Sequence, residues 1–169
     1  MRRSWRGPRH TGAVDIETRA AVAPRMEIRD VTPGDVPRLE RVLTGAHAQQ
    51  LANAVAGRRA FLAAWRGEEP VGAVVVRWTG VPVDGHGPVP EIGSLEVVPA
   101  RRGDGIGSLL VAAAEQRVRE RGGTAAAIVV AQDNRDARRL YERLGYRDTG
   151  ALRSLDGGAG LLLVRVLGG

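Results

Sequence analysis

Apolar and polar residues alternate over residues 26–31, Met-Glu-Ile-Arg-Asp-Val, a period of two that predicts a first strand. The turn residues Thr32-Pro33-Gly34-Asp35 then lead to a helix that places Val36, Leu39, Val42 and Leu43 on one buried face, with Pro37 tolerable in its first turn. Residues 47–56 read as a second helix with a mostly alanine face. Residues 60–65 and 71–78, joined by Gly67-Glu-Glu-Pro70, predict an antiparallel hairpin. Three prolines and three glycines between positions 79 and 90 predict a loop. Residues 91–98 form the next strand, ended by Pro99.

From about residue 105 to 121 the period lengthens to that of a helix, with Ile106, Leu109, Leu110, Ala113 and Val118 on or near one face and Gly122-Gly123 as the stop. The continuous apolar run at 124–131 predicts a strand covered on both sides. A last helix over 135–144 aligns Ala137, Leu140, Tyr141 and Leu144, and Gly145 ends it. Short strands at 146–149 and 161–167 close the chain around a loop at 156–160. This order predicts an α/β fold, a mixed sheet with helices packed on it.

Composition narrows the function classes. The 169 residues suit one domain at 26–169, preceded by a basic tail, residues 1–25, with no sustained period. That tail holds six of the 25 arginines against Asp15 and Glu17, while the remainder carries 19 arginines against 17 acids. The net charge of +6 therefore resides largely in the tail, and with 4% aromatic residues a nucleic-acid partner is not expected. There is no cysteine, which excludes disulfides, thiolate catalysis and cysteine metal sites. The three histidines, His10, His47 and His86, lack metal-ligand spacing, so no metal is expected. No apolar run reaches membrane-span length, and the arginine-rich start lacks a signal-peptide core, so the expected location is cytoplasmic. Met26 stands as a candidate natural start, which the intact mass of the native protein would decide.

The segment Arg101-Arg-Gly-Asp-Gly-Ile-Gly107 lies between the strand at 91–98 and the helix beginning near 105. Strand, glycine-rich turn and helix in that order gather free backbone N–H groups in front of a positive helix end, a natural pyrophosphate site. Arg101 and Arg102 add fork-shaped donors. The chain has no lysine, so this is not a P-loop; the third glycine of a dinucleotide fingerprint would fall on Ser108 or Leu110, so it is not that either. Arg102-x-x-Gly105-x-Gly107 resembles the Arg/Gln-x-x-Gly-x-Gly/Ala turn of the GCN5-related N-acetyltransferase (GNAT) superfamily. Downstream, Asn134-x-x-Ala137-x-x-x-Tyr141-x-x-x-Gly145-Tyr146 resembles the second signature of that family, and the likeness spans roughly residues 26–167.

The resemblance implies a mostly antiparallel sheet of six to seven strands flanked by about four helices. It also implies an acetyl-CoA-dependent N-acetyltransferase in which an amine attacks the thioester directly. An acetyl-cysteine route is excluded by composition. On this reading the pyrophosphate is held by the amides of Arg102, Gly103, Gly105, Ile106, Gly107 and Ser108. The strand positions Leu95, Val97 and Val98 meet the pantetheine arm, and the Val97 N–H is the expected oxyanion donor. Tyr141 matches the tyrosine that protonates the leaving thiolate; by its helical spacing it could equally be a core residue. Asn134 matches a cofactor-contacting residue and is also a natural N-cap. Glu91 and Glu96 are the candidate bases, with ion-pair roles and water-mediated deprotonation as alternatives. The acceptor is expected to be a small-molecule or peptide amine, selected by residues 47–57 and 156–160. A homodimer is compatible with the family. A non-catalytic acyl-CoA-binding module of the same fold is the alternative, and the presence of both Asn134 and Tyr141 weighs against it.

Overall fold

The computed structural model describes residues 25–155 and 157–168. Seven strands form one sheet in the order β1-β2-β3-β4-β5-β7-β6, with β1 at Met26–Asp30, β2 at Arg59–Arg66, β3 at Glu69–Val83, β4 at Gly87–Val97, β5 at Ala125–Ala131, β6 at Arg147–Leu155 and β7 at Gly158–Val166. All neighbours pair antiparallel except β4 and β5, which run parallel. Four helices accompany them: α1 (Val36–Val42), α2 (His47–Val55), α3 (Ile106–Glu120) and α4 (Arg135–Arg143). The parallel pair follows from its connection, since β4 reaches β5 only through the crossover helix α3.

Alternation along the central strands builds two cores. Leu62, Ala64, Val74 and Val76 face α3 and α4, where Ile106, Leu110, Ala114 and Tyr146 are buried. Phe61, Ala63, Trp65 and Val75 face the other way, under Leu39 and Leu43. A one-residue slip of β2 would exchange these sets, so packing on both faces fixes the register. Glu115 of α3 is buried as well; its carboxylate accepts from Arg165 at 2.9 and 3.0 Å and from the Tyr146 hydroxyl at 2.9 Å. Burial and that carboxylate push the Tyr146 phenol far above its ordinary value.

Several expectations needed correction. Residues 79–90 are not a loop: β3 and β4 continue as paired arms, with Val81 opposite Val89, Pro82 opposite Pro88 and Val83 opposite Gly87. Alternate pairs of an antiparallel ladder exchange no hydrogen bonds, so two facing prolines cost it nothing. The register shift between Arg77 and Val81 is absorbed at Gly80, whose φ is 66° and where a Cβ would strike the Val89 carbonyl. The closing strands also run further than residues 146–149 and 161–167, because Gly158 and Gly160 pair with Leu155 and Arg153. On the helices, Val42 (42% exposed) and Leu109 (49% exposed) lie off the buried faces, which are set instead by Leu39 and Leu43 and by Leu110, Val111 and Ala114. The expected tail at 1–25 lies, but for Arg25, outside the described residues. No helix among those residues is long and apolar enough to cross a membrane.

Asp35 joins β1 to α1. It accepts two bonds from Arg29, at 2.7 and 2.9 Å, and further bonds from the Thr32 N–H and hydroxyl at 2.8 and 2.7 Å. The Arg29 guanidinium, aided by the Thr32 donors, holds this carboxyl well below the ordinary carboxylate range. A lowered folded-state pKa stabilises the protein above the unfolded value of about 4, and that stabilisation fades as pH falls toward the folded value. Asp35→Asn is therefore expected to lose about 2 kcal/mol in urea denaturation at neutral pH. The deficit should shrink progressively below about pH 4; an equal deficit at pH 7 and pH 3 would contradict this role.

Candidate active site

β4 opens the sheet at its centre. β4 pairs in parallel with β5 where Glu91 lies opposite Ala127, and the pairing does not extend toward Leu95–Val97. The cause is a bulge: β4 shifts register against β3 between Gly93 and Glu96, and Ser94 takes a φ of 50°. Ser94 is the one non-glycine residue with positive φ among the described residues. Arg77 braces the bulge from β3, donating to Glu91 Oε1 at 3.2 Å and to Ser94 Oγ at 2.9 Å. Beyond the bulge the Val98 N–H bonds the Val71 carbonyl at 2.9 Å. Alternation along a strand then turns the neighbouring Val97 N–H away from β3, into the gap toward β5. Val98 itself is different: its N–H is engaged, and its carbonyl accepts from Arg101 at 2.8 Å.

The glycine-rich turn borders the same gap. Arg102 and Asp104 donate to the carbonyls of Pro99 and Arg101, at 3.3 and 3.4 Å, and Leu109 donates to Gly105 at 3.2 Å. Among the described residues, the N–H groups of Gly103, Gly105, Ile106, Gly107 and Ser108 have no protein acceptor. Gly105 caps α3 with a φ of 78°, which turns the chain so that those donors converge ahead of the helix axis. Neither Arg101 nor Arg102 forms an ion pair among the described residues. A Cβ on Gly107 would lie 3.5 Å from Leu140, 3.8 Å from Leu95 and 4.0 Å from Val97. One point thus joins the start of α3, the opened stretch of β4 and α4.

Tyr141 follows Leu140 on α4 and packs edge-on to Tyr146, ring centroids 6.1 Å apart. Its ring is buried, and burial pushes its pKa up to about 12. The hydroxyl makes no hydrogen bond among the described residues. Asn134 is the N-cap of α4: its Oδ1 accepts from Ala137 N–H at 3.1 Å, and its amide nitrogen makes no hydrogen bond among the described residues.

The two carboxylates differ in place. Glu91 sits at the fork where β4 and β5 part, with Arg77 on one oxygen. Glu96 points to the α1 side, where its carboxylate accepts from Thr44 N–H at 2.6 Å, Thr44 Oγ at 2.8 Å and Gly45 N–H at 3.2 Å. It thus clamps the α1–α2 loop to the opened strand.

The family profile described as the acetyltransferase (GNAT) family matches residues 28–146, well over half of the chain. The chain belongs to the GNAT acetyltransferase family. A comparison with curated proteins returns no match. Solved GNAT-fold structures share its architecture. The ribosomal-protein-alanine N-acetyltransferase of Brucella melitensis superposes with a TM-score of 0.68 at 23% identity, over 83% of this chain and 99% of that one. Naa50 of Arabidopsis thaliana, in complex with the bisubstrate analogue CoA-Ac-MVNAL, gives 0.64 at 18% identity, over 84% and 99%. The PaiA N-acetyltransferase of Thermoplasma acidophilum, in complex with coenzyme A, gives 0.64 at 15%, over 84% and 99%. At these identities the likeness concerns the fold.

Four contributors to this GNAT site escaped sequence reasoning: Ser94, Arg77, the Thr44-Gly45 loop and Leu140. Gly93 within an apolar strand was the available signal for the bulge, since an isolated strand glycine marks a bulge or close approach. A Cβ there would strike the Arg77 guanidinium. The clamp had no such signal, because Glu96 and Thr44 are 52 residues apart.

Proposed function

We propose that the chain is an acetyl-CoA-dependent N-acetyltransferase that passes the acetyl group to a primary amine by direct attack. The observation that carries this reading is that, among the described residues, the N–H groups of Gly103, Gly105, Ile106, Gly107 and Ser108 have no protein acceptor and lie beside the opened edge of β4. That donor set suits a pyrophosphate: several amides at a helix N-terminus, two arginines without carboxylate partners among the described residues, and glycines that keep side chains out of the way. The group when bound supplies an activated acyl thioester. The amides of Gly103, Gly105, Ile106, Gly107 and Ser108 would hold its phosphates; Arg102, whose own N–H is taken by the Pro99 carbonyl, would contribute its guanidinium instead, and Leu95 and Val97 would line its arm. Of the backbone groups first assigned to that arm, those of Val98 are engaged elsewhere, so Val98 would offer only side-chain surface.

The residues then divide the chemistry. The Val97 N–H, aimed into the gap, donates to the carbonyl oxygen as negative charge develops there. Tyr141, protonated with a pKa pushed up to about 12, gives its proton to the departing thiolate through a hydroxyl that has no hydrogen-bond partner among the described residues. Asn134 offers its amide N–H donors, unpaired among the described residues, to the cofactor while its oxygen caps α4. Glu91, at the fork, takes the proton from the attacking amine directly or through a water. Glu96 positions rather than catalyses, because its carboxylate is engaged by the α1–α2 loop. Glu96→Gln is expected to raise the acceptor KM several-fold while acetyl-CoA affinity and the pH dependence of kcat stay as in the wild type. A lost ascending limb of the pH profile would instead make Glu96 the base.

Among primary amines, peptide α-amines are the first class to test, since the Arabidopsis relative holds a peptide-bearing bisubstrate analogue. The experiment is thiol release from acetyl-CoA with three acceptors: a peptide with a free α-amine, an N-blocked lysine peptide and a small polyamine. Amine-dependent release with acetylated product supports the reading. Binding of acetyl-CoA with no amine-dependent turnover across the panel would favour a non-catalytic acyl-CoA module.

A further inference from the structure

A cavity of about 450 Å³ opens at the end of the sheet where β1 turns away from β2, remote from the phosphate turn. It lies beside the last turn of α3, a helix of 15 residues whose first turn carries the cofactor amides. The rise of a helix separates the two by about 22 Å. Its volume falls within the range of small-molecule sites. Val31, Leu51, Ala54 and Phe61 form an apolar wall, and Trp78 closes one side. Val55, 78% exposed, is an apolar lip at the mouth.

The charges lining this cavity do not cancel. Asp30 and Glu120 are both taken by Arg117, at 2.6 and 3.3 Å. Arg59 donates to the neutral Gln50 carboxamide, and Arg121 lies over the Trp78 ring at 4.3 Å. Neither Arg59 nor Arg121 has a carboxylate within ion-pair distance among the described residues. Burial first, then Arg77 and Arg58 nearby, disfavour the charged form of Arg59, and the Glu91 carboxylate offsets this only in part. Two guanidiniums in want of an anion therefore edge an apolar, aromatic-walled recess.

We propose that this recess is a second ligand site, for a small amphipathic carboxylate. Its acid group would bridge Arg59 and Arg121, and its aliphatic or aromatic body would lie against Phe61, Leu51 and Trp78. The recess is remote from the phosphate turn, and three of its lining residues, Leu51, Ala54 and Val55, belong to the 47–57 segment expected to select the acceptor.

The test uses the full chain with hexanoate and 3-phenylpropionate as probes and hexanamide and hexylamine as controls. The indole N–H resonance of Trp78, assigned with Trp78→Phe, reports occupancy. Saturable shifts with both acids are expected, together with at least about a ten-fold weaker response to the controls. Arg59→Gln combined with Arg121→Gln should weaken acid binding by about ten-fold or more, with an unchanged urea-denaturation midpoint as the sign of an intact fold. Val55→Glu, on an exposed position, should repel the acids by charge without disturbing the core. The proposal is overturned if neither acid binds, if hexanamide binds as well as hexanoate, or if both sets of variants bind the acids like the wild type. It is also overturned, in favour of a protein partner, if only a peptide bearing a free C-terminal carboxylate shifts the signal.

Discussion

Tyr141→Phe is expected to lower kcat by about 10²- to 10³-fold while acetyl-CoA affinity stays within about two-fold of wild type. The substitution removes one oxygen and keeps the ring that packs against Tyr146. Because the hydroxyl has no partner among the described residues, its loss orphans no internal group, and folding stability should change by less than about 0.5 kcal/mol. A falling kcat beside unchanged stability and binding isolates the proton donor. Burial raises the phenol's pKa to about 12, so it stays protonated as pH rises through the whole range below that value. Any decline in kcat between neutrality and about pH 10 then belongs to another group. Wild-type kcat in the phenylalanine variant would return Tyr141 to a packing role.

Gly105→Val should abolish measurable acetyl-CoA binding, a loss of about 100-fold or more. Gly105 has a φ of 78°, where a β-branched residue is strained by about 1–3 kcal/mol. The open space around its Cβ position means that the effect arises from backbone conformation rather than collision with the protein. Relaxing that strain would swing the amides of Ile106, Gly107 and Ser108 away from their common point. Gly57→Val supplies the control: its φ is 73°, its Cβ position is equally open, and it follows α2 far along the chain from the turn. Both variants should lose similar stability in urea denaturation, and only Gly105→Val should lose the cofactor. Equal loss of binding in both would reduce the effect to general destabilisation.

What could be read from the chain tracks how local the cause is. β1, the β2–β3 hairpin, α3, β5 and α4 announce themselves because their periods and stop signals lie within each segment. The arms at 79–90 were hidden because prolines read as breakers, whereas facing prolines at non-bonded positions leave a ladder intact. Gly158 and Gly160 read as loop, yet Gly160 is in strand because a Cβ there would press into Leu155 and Val129, contacts made only by the folded sheet. Leu109 was placed on the buried face from spacing alone, but the wedge between α3 and β7 is filled by Glu115 and Arg165, a polar pair that apolar periodicity cannot reveal. The two motifs led to the site itself. The bulge at Ser94, the Arg77 brace and the Glu96 clamp depend on partners 14 to 52 residues away, and no local pattern carries them.

The central claim is that the turn from Gly103 to Ser108 holds the phosphates of acetyl-CoA in front of the opened strand. Calorimetric titration of the purified protein with acetyl-CoA tests it most directly, repeated with Arg102→Glu, which reverses a charge at an exposed position. The account predicts saturable binding of one acetyl-CoA per chain, weakened at least about ten-fold by the substitution. No heat of binding in the wild type, or undiminished affinity in Arg102→Glu, would contradict it.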